Sequence, residues 1–335
     1  DRRGYASNHL PTYFPSMIAT SWSWLGRYIH QTPTCLTIVA GLLLTGYQYW
    51  VGPLPLSVQL VFCVGLLLAA GIPHGALDHL IEQERTIRQA QPFSLPRFIA
   101  RYVLMIALYG LGWFLFPVLS LILFLLISAW HFGETDLEHT PDNIYWSLTR
   151  LVAGSFVLAF ILLTHAGEVT PIIARIVQND ELSLQLWRVA VSQTGPLLRG
   201  WLTLLLVLSM LAFGHRPMAV NGWRLGRLTM VLALTYALPL LPAFMLYFGG
   251  WHSLSSFGTI QSYLQKPRNN QRSAWQIWWQ SVPLTLLAVC SLLAAAGVWY
   301  SYTPFLDPLP YLFILLSTIT LPHIQVMHQL NMIAK

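Results

Sequence analysis

Gly71-Ile72-Pro73-His74-Gly75-Ala76-Leu77-Asp78-His79 closes an apolar run that begins near residue 57, and it sets two imidazoles and a carboxylate where hydrocarbon is expected. A charged side chain at bilayer depth costs roughly 2.5 to 3.5 kcal/mol on insertion scales, so such residues are candidates for function. The pattern recurs. Trp130-His131-Phe132-Gly133-Glu134, Trp251-His252-Ser253 and Pro322-His323-Ile324 each place a histidine within or directly after another apolar run. Polar residues touching headgroups at a helix end would explain one such case; recurrence argues against that reading for all four.

The surroundings of these motifs define the class. The chain has 335 residues, 55% hydrophobic against 9% charged, with 14 Trp and a mean hydropathy of +0.56. That composition belongs to an all-α polytopic membrane protein, not to a soluble domain. The net charge of +6 arises from Arg and Lys in short segments between apolar runs, where they orient helices, and no basic patch for nucleic acid is present. Cys35, Cys63 and Cys290 lie in apolar runs without CxxC spacing, which supports neither a disulfide framework nor a thiolate metal site. No segment repeats at a fixed period. Residues 1–33, with Pro11, Pro15, Trp22 and Trp24, read as an interfacial N-terminal segment without a legible signal peptide, and residues 34–335 as one transmembrane helical domain.

About ten transmembrane helices in one bundle are predicted, near 34–50, 57–80, 98–116, 118–135, 147–164, 196–213, 226–240, 242–262, 282–300 and 310–331. With ten crossings every Lys and Arg except Arg175, Arg188 and Arg199 falls on one side, including Arg85, Arg88, Arg97, Arg216, Arg224, Lys266, Arg268 and Arg272. One missed or invented crossing in the middle would scramble that bias, which places both termini in the cytoplasm. The connection 165–195 reads either as a loop or as an amphipathic helix lying on the membrane surface through Ile172, Ile173, Ile176 and Val177.

His74, His131, His252 and His323 then lie on the second, fourth, eighth and tenth spans, which run in the same direction, at similar depths past the bilayer middle. Four imidazoles at one level suit a shared transition metal, and separate hydrogen-bonded histidines between helices are the alternative. His79 follows His74 by five residues, as His328 follows His323, and five residues turn a helix by about 140°. Only one of each pair can therefore face the ion, which leaves His79 and His328 as alternates. Asp78 is i+4 from His74 and Glu134 is i+3 from His131; each carboxylate can orient a ligating imidazole or simply be solvated at a helix end, and Glu134 can also bind the metal. His9, His30, His139, His165 and His215 fall in connections or at span ends and read as structural. Imidazole ligation admits Fe, Zn or Cu. A lipid-soluble substrate in an aromatic-rich bundle favours oxidation by iron and O2. Membrane desaturases carry HxxHH boxes, and no adjacent His-His pair occurs here.

At Pro73-His74-Gly75-Ala76-Leu77-Asp78-His79, Trp130-His131-Phe132-Gly133-Glu134-Thr135-Asp136, Tyr247-Phe248-Gly249-Gly250-Trp251-His252-Ser253-Leu254 and Leu321-Pro322-His323 the sequence resembles the Brp/Blh family of bacterial β-carotene 15,15′-dioxygenases. The resemblance covers most of the chain. It implies a polytopic fold in the bacterial inner membrane, a non-haem Fe(2+) held by histidines, and O2-dependent cleavage of the central double bond of β-carotene or a related carotenoid to retinal. Carried over by motif, His74, His131 and His252 are its iron ligands. The family commonly has a second histidine one turn after His252, where this chain has Ser256. His323, at matching depth, or His79 would then complete the site. Trp130, Phe132, Phe248 and Trp251 would clamp the polyene, although any one of them is also ordinary helix packing. The partners implied are carotenoid, O2, membrane lipid and a membrane protein that accepts retinal, such as an opsin. A non-catalytic membrane subunit whose histidines bind chlorophyll, haem or carotenoid is the alternative, and loss of the family histidine at Ser256 would fit it. A transporter is disfavoured by the scarcity of buried charge.

Overall fold

Prolines and short polar side chains cut the apolar runs into helices. Pro55, Pro239, Asn143, Asp180 and Asn221 each stand at a helix N-cap, and the Asn143, Asp180 and Asn221 side chains accept from the backbone N–H of Trp146, Ser183 and Arg224. These caps satisfy amides that the helix leaves without an internal partner. The computed structural model describes residues 34–138, 140–218, 221–265, 273–302 and 309–334, and every regular element among them is helical. The N-terminal segment 1–33 with His9 and His30, together with His139, Lys266, Arg268 and Arg272, lies outside the described residues.

In chain order the helices are α1 (Thr34–Trp50), α2 (Leu56–Leu66), α3 (Ile72–Ala76), α4 (Asp78–Arg88), α5 (Leu95–Leu115), α6 (Pro117–Asp136), α7 (Ile144–Thr164), α8 (Ala166–Ile176) and α9 (Glu181–Ser192). They continue as α10 (Thr194–His215), α11 (Gly222–Ala237), α12 (Leu240–Tyr247), α13 (Leu254–Gln265), α14 (Ala274–Tyr302) and α15 (Leu309–Ala334). A π-helical turn, Leu67–Gly71, joins α2 to α3, and a second, Phe248–Ser253, joins α12 to α13.

Among the described residues seven helices are long and apolar enough to cross a membrane, starting at Leu56, Leu95, Pro117, Ile144, Thr194, Ala274 and Leu309. The other three predicted spans correspond to α1 with 17 residues, α11 with 16, and the α12–α13 unit. The last is long but carries Gly249, Gly250, Trp251, His252 and Ser253, all buried. Its low apolarity follows from its place: it is wrapped by protein, so no lipid-facing stripe is required of it. Val157 and Ile161 of α7, Val231 and Leu234 of α11, and Leu246, Tyr247, Phe248 and Trp251 form one core cluster around it.

The tightest crossing is between α6 and α7. A Cβ built at Gly133 would land on the carbonyl oxygen of Arg150, and one at Gly154 on that of Ala129. Glycine is what allows the two backbones to touch, the usual function of small residues between membrane helices. The 165–195 connection is helical, as one of its two readings expected: it forms α8 and α9, and the apolar face of α8 packs on protein. Ile172 and Ile173 pack on the core, and Ile176 and Val177 cluster with Trp113. The stripe is spent on protein contacts because α6, α7 and α15 lie beside it.

Candidate functional site

Both π turns lie next to a histidine of the site and pack on each other. A π turn inserts a residue without adding a turn, which frees backbone carbonyls and rotates the residues after it; such insertions concentrate at functional sites. The freed groups find partners. Trp278 Nε1 donates to the Ala69 carbonyl at 2.9 Å, Thr37 Oγ1 to Gly250 at 2.7 Å, and Ser253 Oγ to Phe248 at 2.8 Å. The insertions are thus built into the packing, and they aim His74 and His252 at a common point.

At that point four imidazoles meet. Ring centroids are 5.8 Å apart for His74 and His252, 4.8 Å for His252 and His131, 5.3 Å for His131 and His323, and 4.8 Å for His323 and His74, so each ring touches the next and the circuit closes. All four are buried. His74 Nδ1 lies 3.2 Å from the Ala70 carbonyl, which can only accept, so Nδ1 carries the proton and Nε2 is bare. His323 Nδ1 likewise donates to Asp78, at 2.9 and 3.1 Å from its two oxygens, and the Tyr102 hydroxyl donates to the same carboxylate at 3.0 Å. Both nitrogens of His131, Nδ1 of His252 and Nε2 of His323 have no hydrogen-bond partner. Buried nitrogens without partners are costly, about 1 to 3 kcal/mol each.

The residues fit a transition metal in two respects. The donors are imidazoles, three of them with buried nitrogens that lack a hydrogen-bond partner, and unprotonated imidazole nitrogen is a common transition-metal ligand. Rings sharing one ion at about 2.0 to 2.1 Å from nitrogen have centroids roughly 4.5 to 6.4 Å apart, which brackets all four separations. The rings stand edge to face, at interplanar angles of 74–90°. As the side chains stand, no group of three or more His, Cys, Asp or Glu among the described residues is placed to hold a metal ion.

The remaining predicted residues sort by contact. Asp78 serves His323, not its own-helix neighbour His74, because the helix breaks at Leu77 and turns the carboxylate toward α15. Glu134 similarly meets His328 Nδ1 across helices at 2.9 Å, not His131. His79 turns to the Ala76 carbonyl at 2.8 Å and stays outside the circuit. Phe132 lies 4.7 Å from His252, and Phe248 lies 6.0 Å from His252 and 6.1 Å from His74, so both line the site. Trp130 instead contacts His328 and the Arg150 guanidinium. Ser256 is buried one turn after His252, its hydroxyl without a partner. His165 is structural, bonded to the Ile161 and Leu238 carbonyls, and His215 stacks on Tyr145.

Trp251 acts through its indole edge. Nε1 donates to Asp136 at 2.7 Å, Tyr247 Oη donates to the other oxygen at 2.9 Å, and Arg224 covers the ring while donating to the Thr135 carbonyl. This network pins the π turn carrying His252 to the end of α6, which carries His131. Tyr102, Asp136, Tyr247 and Arg224 were not assigned roles from sequence; buried polar residues on otherwise apolar runs were the available signal. Asp136→Ala should strand two buried donors at about 1 to 3 kcal/mol each, lowering the unfolding midpoint in detergent. Asp136→Asn, which keeps an acceptor, should lose much less.

The fold and site therefore define an all-helical protein of apolar spanning helices with a buried histidine tetrad. The chain belongs to the family described as beta-carotene 15,15'-dioxygenase, whose sequence profile it matches over residues 65–331. It is similar to the beta-carotene 15,15'-dioxygenase of uncultured marine bacterium 66A03, 32% identical over 108 residues, which span 32% of this chain and 38% of that relative. No solved structure matches the chain.

Proposed function

We propose that this protein cleaves the central double bond of β-carotene, or a related carotenoid, to retinal with O2, at a non-haem Fe(2+) held by His74, His131, His252 and His323. The closed circuit of four buried imidazoles in a chain of this family carries the reading. Iron, when bound, supplies the redox chemistry that lets O2 react with a closed-shell polyene. The rest is done by side chains. Asp78 and Tyr102 hold His323 with Nε2 toward the other rings, and the Ala70 carbonyl does the same for His74. Phe132 and Phe248 wall the site against water and orient an apolar substrate beside the imidazoles. Both oxygen atoms of O2 end in the two aldehydes, so the overall reaction balances without an external reductant. Substrate and product are both lipid-soluble and pass through the bilayer, where an opsin-like acceptor could take the retinal.

Ser256 provides the discriminating test. With His323 as fourth ligand, wild-type protein should bleach β-carotene to retinal in carotenoid-producing cells, quantified by chromatography, and Ser256→His should change the yield only modestly. An absence of retinal and iron from wild type, with a pigment bound instead, would overturn the enzyme reading.

The basic-residue asymmetry supports ten crossings of the bacterial inner membrane with both termini cytoplasmic. Cysteines introduced at Arg88 and Asn221 should be labelled from the cytoplasmic side and one at Gln178 from the opposite side. Gln178 and Asn221 on the same side would remove that topology.

A further inference from the structure

We infer that Phe248, Phe244, Phe313 and Phe124 form a track that seats one arm of the linear polyene and so fixes which double bond lies at the histidines. The inference rests on the carotenoid reading above and adds to it the residues that measure the substrate.

The track starts inside the site. Phe248 packs against both His252 and His74. His252, Phe248 and Phe244 occupy successive turns of the α12 unit, and their rings are nearly parallel: 15° and 6.0 Å for the first pair, 9° and 5.4 Å for the second. The three rings therefore follow one another along the helix as a continuous aromatic line. Phe244 continues to Phe313 of α15 at 5.8 Å with the rings tilted by 45°, and Phe313 to Phe124 of α6 at 5.9 Å, edge to face at 88°. Burial falls along the line, from His252 and Phe248 to the partly exposed Phe244, Phe313 and Phe124. Beside its far end Leu123 and Leu312 are exposed on the apolar outer surface.

A line of aromatic faces and edges leading from buried imidazoles to the apolar outer surface suits a conjugated hydrocarbon, whose π system can meet both. A flexible acyl chain has no π system to meet these rings and loses rotamer freedom against them. Because the track is fixed on helices at one end by the histidines, its length acts as a ruler. Shortening the grip should let the polyene slide and be cut at another bond.

The test uses Phe244→Leu, Phe313→Leu and Phe124→Leu, which keep apolar bulk but remove the ring, with Phe156→Leu as a control outside the line. Purified full-length proteins in detergent are exposed to β-carotene without O2, and pigment retained per protein is read by absorbance. Each track variant should retain it about two- to tenfold less tightly, while the control matches wild type. After O2 is admitted, the variants should release aldehydes of unequal length beside retinal. Wild-type retention and wild-type products from all three would overturn the track, as would a wild type that retains no β-carotene. Retention lost in the track variants with no cleavage by wild type would keep the track and remove the dioxygenase reading instead.

Discussion

His131→Ala and His252→Ala are each expected to remove bound iron and to lower retinal formation by roughly 100-fold or more, beyond the 10- to 100-fold typical of losing a partner behind a metal ligand. His131 has no hydrogen-bond partner at either nitrogen, and it stands between His252 and His323. Its only evident use is toward a group the four rings share. His74→Ala and His323→Ala should behave alike, because each ring presents a bare Nε2 fixed by its partner at Nδ1. Asp78→Ala should fall between, at about 10- to 100-fold, since His323 would survive but lose the group that sets its tautomer. His165→Ala and His215→Ala should keep wild-type iron. Metal analysis of purified protein, run beside retinal quantification, checks each of these variants. If His323→Ala kept its iron while His79→Ala lost it, the fourth ligand would be reassigned.

The second large effect belongs to the α6–α7 crossing. Gly154→Leu and Gly133→Leu should prevent folding of the bundle, because even the Cβ meets a backbone carbonyl that has nowhere to retreat. Overpacking a core ordinarily costs about 1 to 3 kcal/mol when side chains can shift. Here the obstacle is main chain, so the helices must separate. His131 lies between Ala129 and Gly133, the two residues closest to α7, so separation would also open the histidine circuit. Little monodisperse protein should be recovered in detergent. A bulky substitution at Gly200 of α10, where a Cβ meets open space, should be tolerated. A stable Gly154→Leu protein with iron bound would show that the crossing is looser than the structure has it.

Much of this protein is legible in its sequence because a bilayer imposes simple rules. Hydrocarbon thickness sets the length of apolar runs, and the runs at residues 56–88, 95–115, 117–136, 144–164, 194–215, 274–298 and 309–330 announce themselves on that ground alone. The cost of polar groups in lipid likewise makes His74, His131, His252 and His323 conspicuous, and their rings are neighbours in the fold. Less legible was the helix that carries His252, since a segment surrounded by protein is under no obligation to look apolar.

What only the tertiary structure decided was rotation and partnership. Spacing left Asp78 and Glu134 open between orienting a histidine on their own helices and solvation at a helix end, and the fold pairs them with His323 and His328 of another helix. Trp130 was open between clamping a polyene and ordinary helix packing, and its contacts are with Arg150 and His328. Helical spacing predicts which residues share a face only while the helix stays regular. A π turn at Leu67–Gly71, an interruption at Leu77 and a second π turn at Phe248–Ser253 each disturb the regular helical phase, just where the site is assembled. Their carbonyls are stabilised by Trp278, Thr37 and Ser253, two of them from helices remote in sequence. The sequence alone thus determined which residues reach the centre of the bundle, and the packing of distant helices determined which way each of them faces, because the direction of a side chain depends on insertions that only tertiary contacts make stable.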